Sequence, residues 1–146
     1  MKVSVNILTW NTIGTLKETL SVLKLELAGI PSEIIIVDNG STDGCQHLAT
    51  IKNEKNLGIS KGKNQAIDAS KGEYIIMLDG DIVPVPNSIK SLLNYLETHP
   101  EIDALGFHPN KFSNQKNRNG QKHHEEYCNE IVDVREHTAH CIYYGI

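Results

Sequence analysis

The chain has 146 residues, of which 39% are hydrophobic and 22% charged, with a formal net charge of -4. That length predicts one domain with enough apolar material for its own core, which excludes wholesale disorder. An acidic balance excludes nucleic acid as the main partner, and no apolar run approaches the length of a transmembrane segment. Cys45, Cys128 and Cys141 are odd in number and follow no pairing or metal-binding spacing. Such usage, with an N-terminus unlike a signal peptide, predicts a cytoplasmic protein with inert thiols.

The first element is a strand from Lys2 to Thr9, in which Val3, Val5 and Ile7 alternate. A helix capped by Asn11 or Thr12 follows, running to about Leu27 with Leu16, Leu20, Leu23 and Leu27 on one face. Gly29 and Pro31 stop it. Glu33 to Asp38 holds Ile34-Ile35-Ile36-Val37, a run that suits a parallel strand covered on both sides. A turn, Asn39-Gly40-Ser41-Thr42-Asp43-Gly44, leads to a short helix, and Lys55-Asn56-Leu57-Gly58 is a second turn. A helix from about Ser60 to Ser70 points Ala66, Ile67 and Ala69 inward, and Glu73 to Leu78 is another buried strand ending at Asp79. After Pro84 and Pro86, Ser88 to Thr98 is amphipathic, with Ile89, Leu92, Leu93 and Leu96 on one side. Asp103 to Phe107, Ile131 to Val134 and Ala139 to Tyr144 are candidate strands around a polar stretch.

Strand and helix therefore alternate over the first hundred residues. The prediction is a single α/β, Rossmann-like domain, with a mostly parallel central sheet and helices on both faces. Ligands of such sheets bind beyond the carboxyl ends of the strands. Three polar clusters fall there: Thr9-Trp10-Asn11, Asp38 to Asp43, and Asp79-Gly80-Asp81.

Asp79 and Asp81 sit two residues apart, so in extended backbone their carboxylates project to one side. Two such charges repel unless a cation joins them, and hard oxygen donors select Mg2+ or Mn2+. Solvated turn acids are the plain alternative. Asp38 can accept from a ribose hydroxyl or a base N–H, or build a local turn with Ser41 and Asp43. Trp10 can stack on a base or pack against the next helix. Gly58 to Asn64 lacks phosphate-loop spacing, and no dinucleotide glycine pattern follows the first strand. Lys61 and Lys63 are near a helix start, where a diphosphate is favoured.

The ordered blocks Val37 to Gly44, Asn56-Leu57-Gly58 with Lys63-Asn64, and Gly72-Glu73-Tyr74 through Leu78-Asp79-Gly80-Asp81 resemble the nucleotide-sugar half of family 2 glycosyltransferases with the GT-A fold. The resemblance covers residues 1–107 well and 108–146 thinly. It implies a UDP-linked sugar donor, an acceptor of unknown identity and Mn2+ or Mg2+. By resemblance Thr9, Trp10, Asn11, Asp38, Gly58, Lys63, Asp79, Gly80 and Asp81 contact the nucleotide. Asp81 and Asp79 hold the metal through the Asp-x-Asp motif, and His140, or else His137, completes its shell.

Inverting members carry a carboxylate base well after that motif. Here the candidates are Glu125, Glu126, Asp133 and Glu136, none in a context that matches. The chain is therefore expected to bind UDP normally and to turn over a UDP-sugar slowly. The alternatives are a binding-only domain and a nucleotidyltransferase. The latter is disfavoured because no Gly- and Arg-rich loop follows the first strand. A phospho-receiver is disfavoured because no acidic cluster does.

Overall fold

The computed structural model describes residues 1–102, 104–107 and 140–144. The predicted strand at 131–134, the base candidates Glu125, Glu126, Asp133 and Glu136, and His137 and Cys128 lie outside the described residues.

The elements are β1 (Val3–Thr9), α1 (Ile13–Glu26), β2 (Ser32–Asp38), a single 3-10 turn at Cys45–His47 and β3 (Ile51–Lys52). Then come α2 (Ile59–Ala69), β4 (Tyr74–Asp79), α3 (Ser88–Thr98), β5 (Ala104–Phe107) and β6 (His140–Tyr144). They build a six-stranded sheet in the order β3-β2-β1-β4-β6-β5. Every pairing in it is parallel.

A parallel sheet needs cover on both faces, and the sequence supplies it by alternation. Val3, Val5 and Ile7 of β1, with Ile76 and Leu78 of β4, face a core filled by Leu16 and Leu23 of α1 and Ile89, Leu92 and Leu96 of α3. On the opposite face Leu8, Ile35 and Val37 meet Ala66 of α2. Gly62 lets α2 lie close on β1, because a Cβ there would run into the Leu8 side chain. Helices therefore flank the sheet on both sides, as the alternation predicts.

Two helix starts are capped from a distance. Thr12, at the start of α1, makes no side-chain capping bond. The Ile13 N–H instead donates to Asp43 Oδ2 at 2.8 Å. At α3 the Asn87 N–H donates to Glu26 Oε1 at 2.6 Å, a carboxylate brought by α1. A negative charge at a helix N-terminus is favoured by the exposed N–H groups and the helix dipole.

The chain runs outward from β1 through β2 to β3, then crosses back to place β4 on the other side of β1. The loops after β1 and β4 lead to α1 and α3, which share one face of the sheet, and the strand order reverses between these two neighbouring strands at the carboxyl edge.

Candidate functional site

Register fixes what meets at that edge. Thr9 lies opposite Asp38, and Leu8 lies opposite Asp79. The Asn39 N–H donates to the Thr9 carbonyl at 2.9 Å, and the Gly80 N–H to the Leu8 carbonyl at 2.8 Å. The three polar clusters are thus brought to one edge, with Asp38 and Asp79 on strands separated by β1.

The Asp79-Gly80-Asp81 turn is held from below. A Cβ at Gly80 would lie 2.7 Å from Thr12 Oγ1 and 2.9 Å from the Thr9 Cα, so no larger residue fits without backbone movement. The Thr19 hydroxyl of α1 reaches the Ile82 carbonyl at 2.7 Å, and Glu26 takes the Asn87 N–H. Helix α1 therefore grips the segment after the acid pair at both ends. Asp81 is exposed, and Asp79 is partly buried. Lys63, half-way along α2, places Nζ 2.8 Å from Asp79 Oδ1, with side chains only 12% and 29% exposed.

Asp38 is 1% exposed and accepts the Ser41 N–H at 3.1 Å on Oδ2. The local turn raised as one reading of this residue is thus present. Thr9 is 1% exposed, and its hydroxyl lies 2.7 Å from that of Thr12 and 3.3 Å from the Cys45 sulfur. Its side chain is engaged by these neighbours and supports the strand end. Trp10 is 53% exposed, so the reading in which it packs into the fold does not hold. Asn11 adopts φ 54, accepts the Thr42 N–H on Oδ1 at 2.8 Å and donates its own N–H to Ser41 Oγ at 2.9 Å. It is a clasp between the loops after β1 and β2, and it fixes the backbone from which Trp10 projects. Gly58 has φ 88, a conformation that only glycine adopts without strain, and it starts α2.

His140 is not brought to the acid pair. It pairs with Tyr74, at the beginning of β4. Five residues of parallel strand separate that position from Asp79, about 17 Å at the usual rise. The register thus sets the His140 backbone at the amino end of β4, away from the strand ends that carry the acids. Among the described residues no group of three or more His, Cys, Asp or Glu side chains is placed to hold a metal ion. The oxygen donors of Asp79 and Asp81 are of the type that suits a hard cation.

One group that the sequence did not disclose as functional is Asn39, 3% exposed. Its Oδ1 accepts the Leu57 N–H at 3.0 Å and Asn53 Nδ2 at 3.2 Å. Its Nδ2 donates to Asn56 Oδ1 at 3.0 Å and the Gly58 carbonyl at 3.3 Å. Asn53 in turn exchanges two bonds with Gln65 of α2. These amides lock the loop that starts α2 onto the end of β2, and so set where Lys63 stands. The signal available in the sequence was the density of Asn and Gln at 39, 53, 56 and 65, which reads as ordinary turn composition.

Asp43 yields a pH prediction. Burial pushes its carboxyl up, but the N–H groups of Ile13 and Cys45 outweigh that, and its pKa is lowered from the ordinary 3.8. A lowered folded value means stability that is fully present above the unfolded value and lost as pH falls through the folded one. Glu33 is lowered too, first by the Ser4 hydroxyl, against burial, with help from the Lys71 N–H. Acid titration of the melting temperature should therefore fall steeply below about pH 4. Asp43→Asn should flatten that fall and lower stability at pH 7. An unchanged acid limb would show that Asp43 is not held as a charged cap.

Comparison with known proteins points one way. The profile of Glycosyl transferase family 2 matches residues 4–143, beyond the 107 residues where the resemblance was clear. An uncharacterized glycosyltransferase of Methanocaldococcus jannaschii is 30% identical over 83 residues, 49% of this chain and 29% of that protein. Glycosyltransferase GlyG of Streptococcus pneumoniae serotype 4 is 27% identical over 115 residues, 71% of this chain and 38% of GlyG. The chain thus spans about a third of the length of these relatives. Among solved structures, S. aureus TarS 1-349 superposes with TM-score 0.61 at 25% identity, over 73% of this chain and 35% of that one. Mannosyltransferase PcManGT from Pyrobaculum calidifontis, solved with GDP-Man and Mn2+, gives TM-score 0.62 at 22% identity, over 73% and 35%, and attests the fold.

Proposed function

The chain belongs to glycosyltransferase family 2, and from that premise we propose that it binds a UDP-linked sugar with a divalent cation at the carboxyl edge of its sheet and presents the sugar for transfer to a hydroxyl acceptor. The observation that carries this reading is the edge itself. Asp38, Trp10-Asn11 and Asp79-Gly80-Asp81 end three adjacent parallel strands, and Lys63 reaches over from α2. The relative TarS has been solved in complex with UDP and with UDP-GlcNAc, which supports a uridine donor here.

Each residue then has a task. Trp10 offers an exposed ring for stacking on the base. Asp38 accepts from the base or ribose while it keeps the Ser41 turn. Asp79 and Asp81 would hold Mn2+ or Mg2+. Lys63 and the glycine-started end of α2 face the diphosphate, where positive charge is wanted. A cation bound there supplies Lewis-acid stabilisation of the negative charge that builds on the departing diphosphate. In the transfer, the acceptor oxygen bonds to the anomeric carbon as the bond to the diphosphate oxygen breaks, and a carboxylate takes the acceptor proton. Glu125, Glu126, Asp133 and Glu136 remain the candidates for that base. Among the described residues no helix is long and apolar enough to cross a membrane.

Calorimetric titration with UDP tests the reading. UDP should bind in the presence of Mn2+ and lose most of its affinity in EDTA, because two carboxylates and a diphosphate otherwise repel. Equal affinity in EDTA, or no UDP binding at all, overturns it. Asp38→Asn, which keeps an acceptor for the Ser41 N–H, should weaken UDP by roughly 1–3 kcal/mol while the melting temperature stays close to that of the parent. Undiminished UDP affinity would leave Asp38 a turn residue only.

A further inference from the structure

Resting on that reading of the site, we propose that Lys63 sets which form of ligand the acid pair accepts: it holds Asp79 against a divalent cation arriving alone and yields it only to a cation that comes with a diphosphate. The Nζ of Lys63 stands 2.8 Å from Asp79 Oδ1, in a pair mostly shielded from water. An ammonium in that place supplies the charge that a metal ion would bring. A lone cation must either displace it or sit beside it and be repelled. A diphosphate changes the balance, because its oxygens offer the ammonium a new anionic partner within reach of the same flexible stem. Asp79 is then released to join Asp81 on the cation.

The backbone need not move for this exchange. Helix α2 is fixed on β1 by the close approach of Gly62 to Leu8, and at its start by the Asn39 amide. Only the Lys63 side chain has to turn. The structure thus assigns to one side chain two opposite effects: it weakens the cation by itself and strengthens the nucleotide. Cation and diphosphate are then positively coupled ligands, each raising the affinity of the other by the same factor.

The test measures Mn2+ binding by the electron paramagnetic resonance of free Mn2+, without nucleotide, in wild type, Lys63→Met and Lys63→Arg. Lys63→Met should bind Mn2+ alone roughly tenfold tighter, within the usual range of coupling between sites, and Lys63→Arg should match wild type. In the same variant UDP affinity at saturating Mn2+ should fall, so the two ligands move in opposite directions. Adding Asp79→Asn to Lys63→Met should erase the gain in Mn2+ affinity, which places the effect at Asp79. Lys17→Met removes an equal charge from the exposed face of α1 and should leave Mn2+ binding unchanged. Met preserves the length of the lysine stem, and matching circular dichroism melts confirm that each variant is folded. Unchanged or weaker Mn2+ binding in Lys63→Met overturns the proposal. So does an equal gain in Lys17→Met. The Mn2+-only comparison reads the role of Lys63 whether or not UDP binds, so failure of the donor assignment would be seen separately, in the UDP titration of wild type.

Discussion

Asp81→Ala is expected to reduce cation-dependent UDP binding by about 100-fold or more, since loss of even an outer partner of a metal ligand costs 10–100-fold. Asp81 is the exposed member of the acid pair, whereas Asp79 is already engaged by Lys63. A cation therefore finds in Asp81 its most available carboxylate. The side chain projects from a turn packed closely against Thr9 and Thr12 at Gly80, where there is no room for a Cβ. Among the described residues no third acid joins the pair in a group placed to hold a metal ion. Stability should change little, for the carboxylate is on the surface. Calorimetry with UDP and Mn2+, beside a melting curve, checks both halves. Wild-type affinity in Asp81→Ala would remove this residue from the site.

Asn39→Leu should be the most destabilising change at the edge, by roughly 3 kcal/mol, the upper scale for buried polar groups left unpaired. The substitution keeps four branched side-chain heavy atoms, in a somewhat larger side chain, and strips all four bonds of the amide. The Leu57 N–H and the Gly58 carbonyl lose their partner, as do Asn53 and Asn56. Asn39→Asp should cost much less, because it still accepts from Leu57 and Asn53. Urea denaturation of the two variants measures the difference. If both unfold at the wild-type midpoint, the amide network does not hold the start of α2.

The sheet and its helices were legible because their signals are local. The residues Ser88–Thr98 of α3 fall where the leucine spacing puts them, and the β-branched runs mark β2 and β4 within a residue at either end. β3 was missed because two residues, Ile51 and Lys52, are too few to show alternation. Helix α1 was expected to carry its own cap at Asn11 or Thr12. The cap comes instead from Asp43, thirty residues on, and no sequence-local rule finds a partner across a loop. The acids and Lys63 of the candidate site were visible as strand-end and helix-start residues. The ion pair between Lys63 and Asp79 was not, since it depends on which face of the sheet α2 covers. Asp38 offered two readings in the sequence, and the structure supplies the turn bond of one without removing the other.

Helix α1 touches both halves of the edge. Its first N–H is tied to the loop after β2, and its Thr19 and Glu26 grip the segment after β4. The loop after β2 and the segment after β4 are accordingly mounted on one lever. Fraying of this helix would loosen the two together, so amide exchange at Ile13 and at Asn87 is expected to follow a single opening event. A substitution on the distant apolar face of α1, at Leu16 or Leu23, reaches both loops through the same rod without touching any ligand.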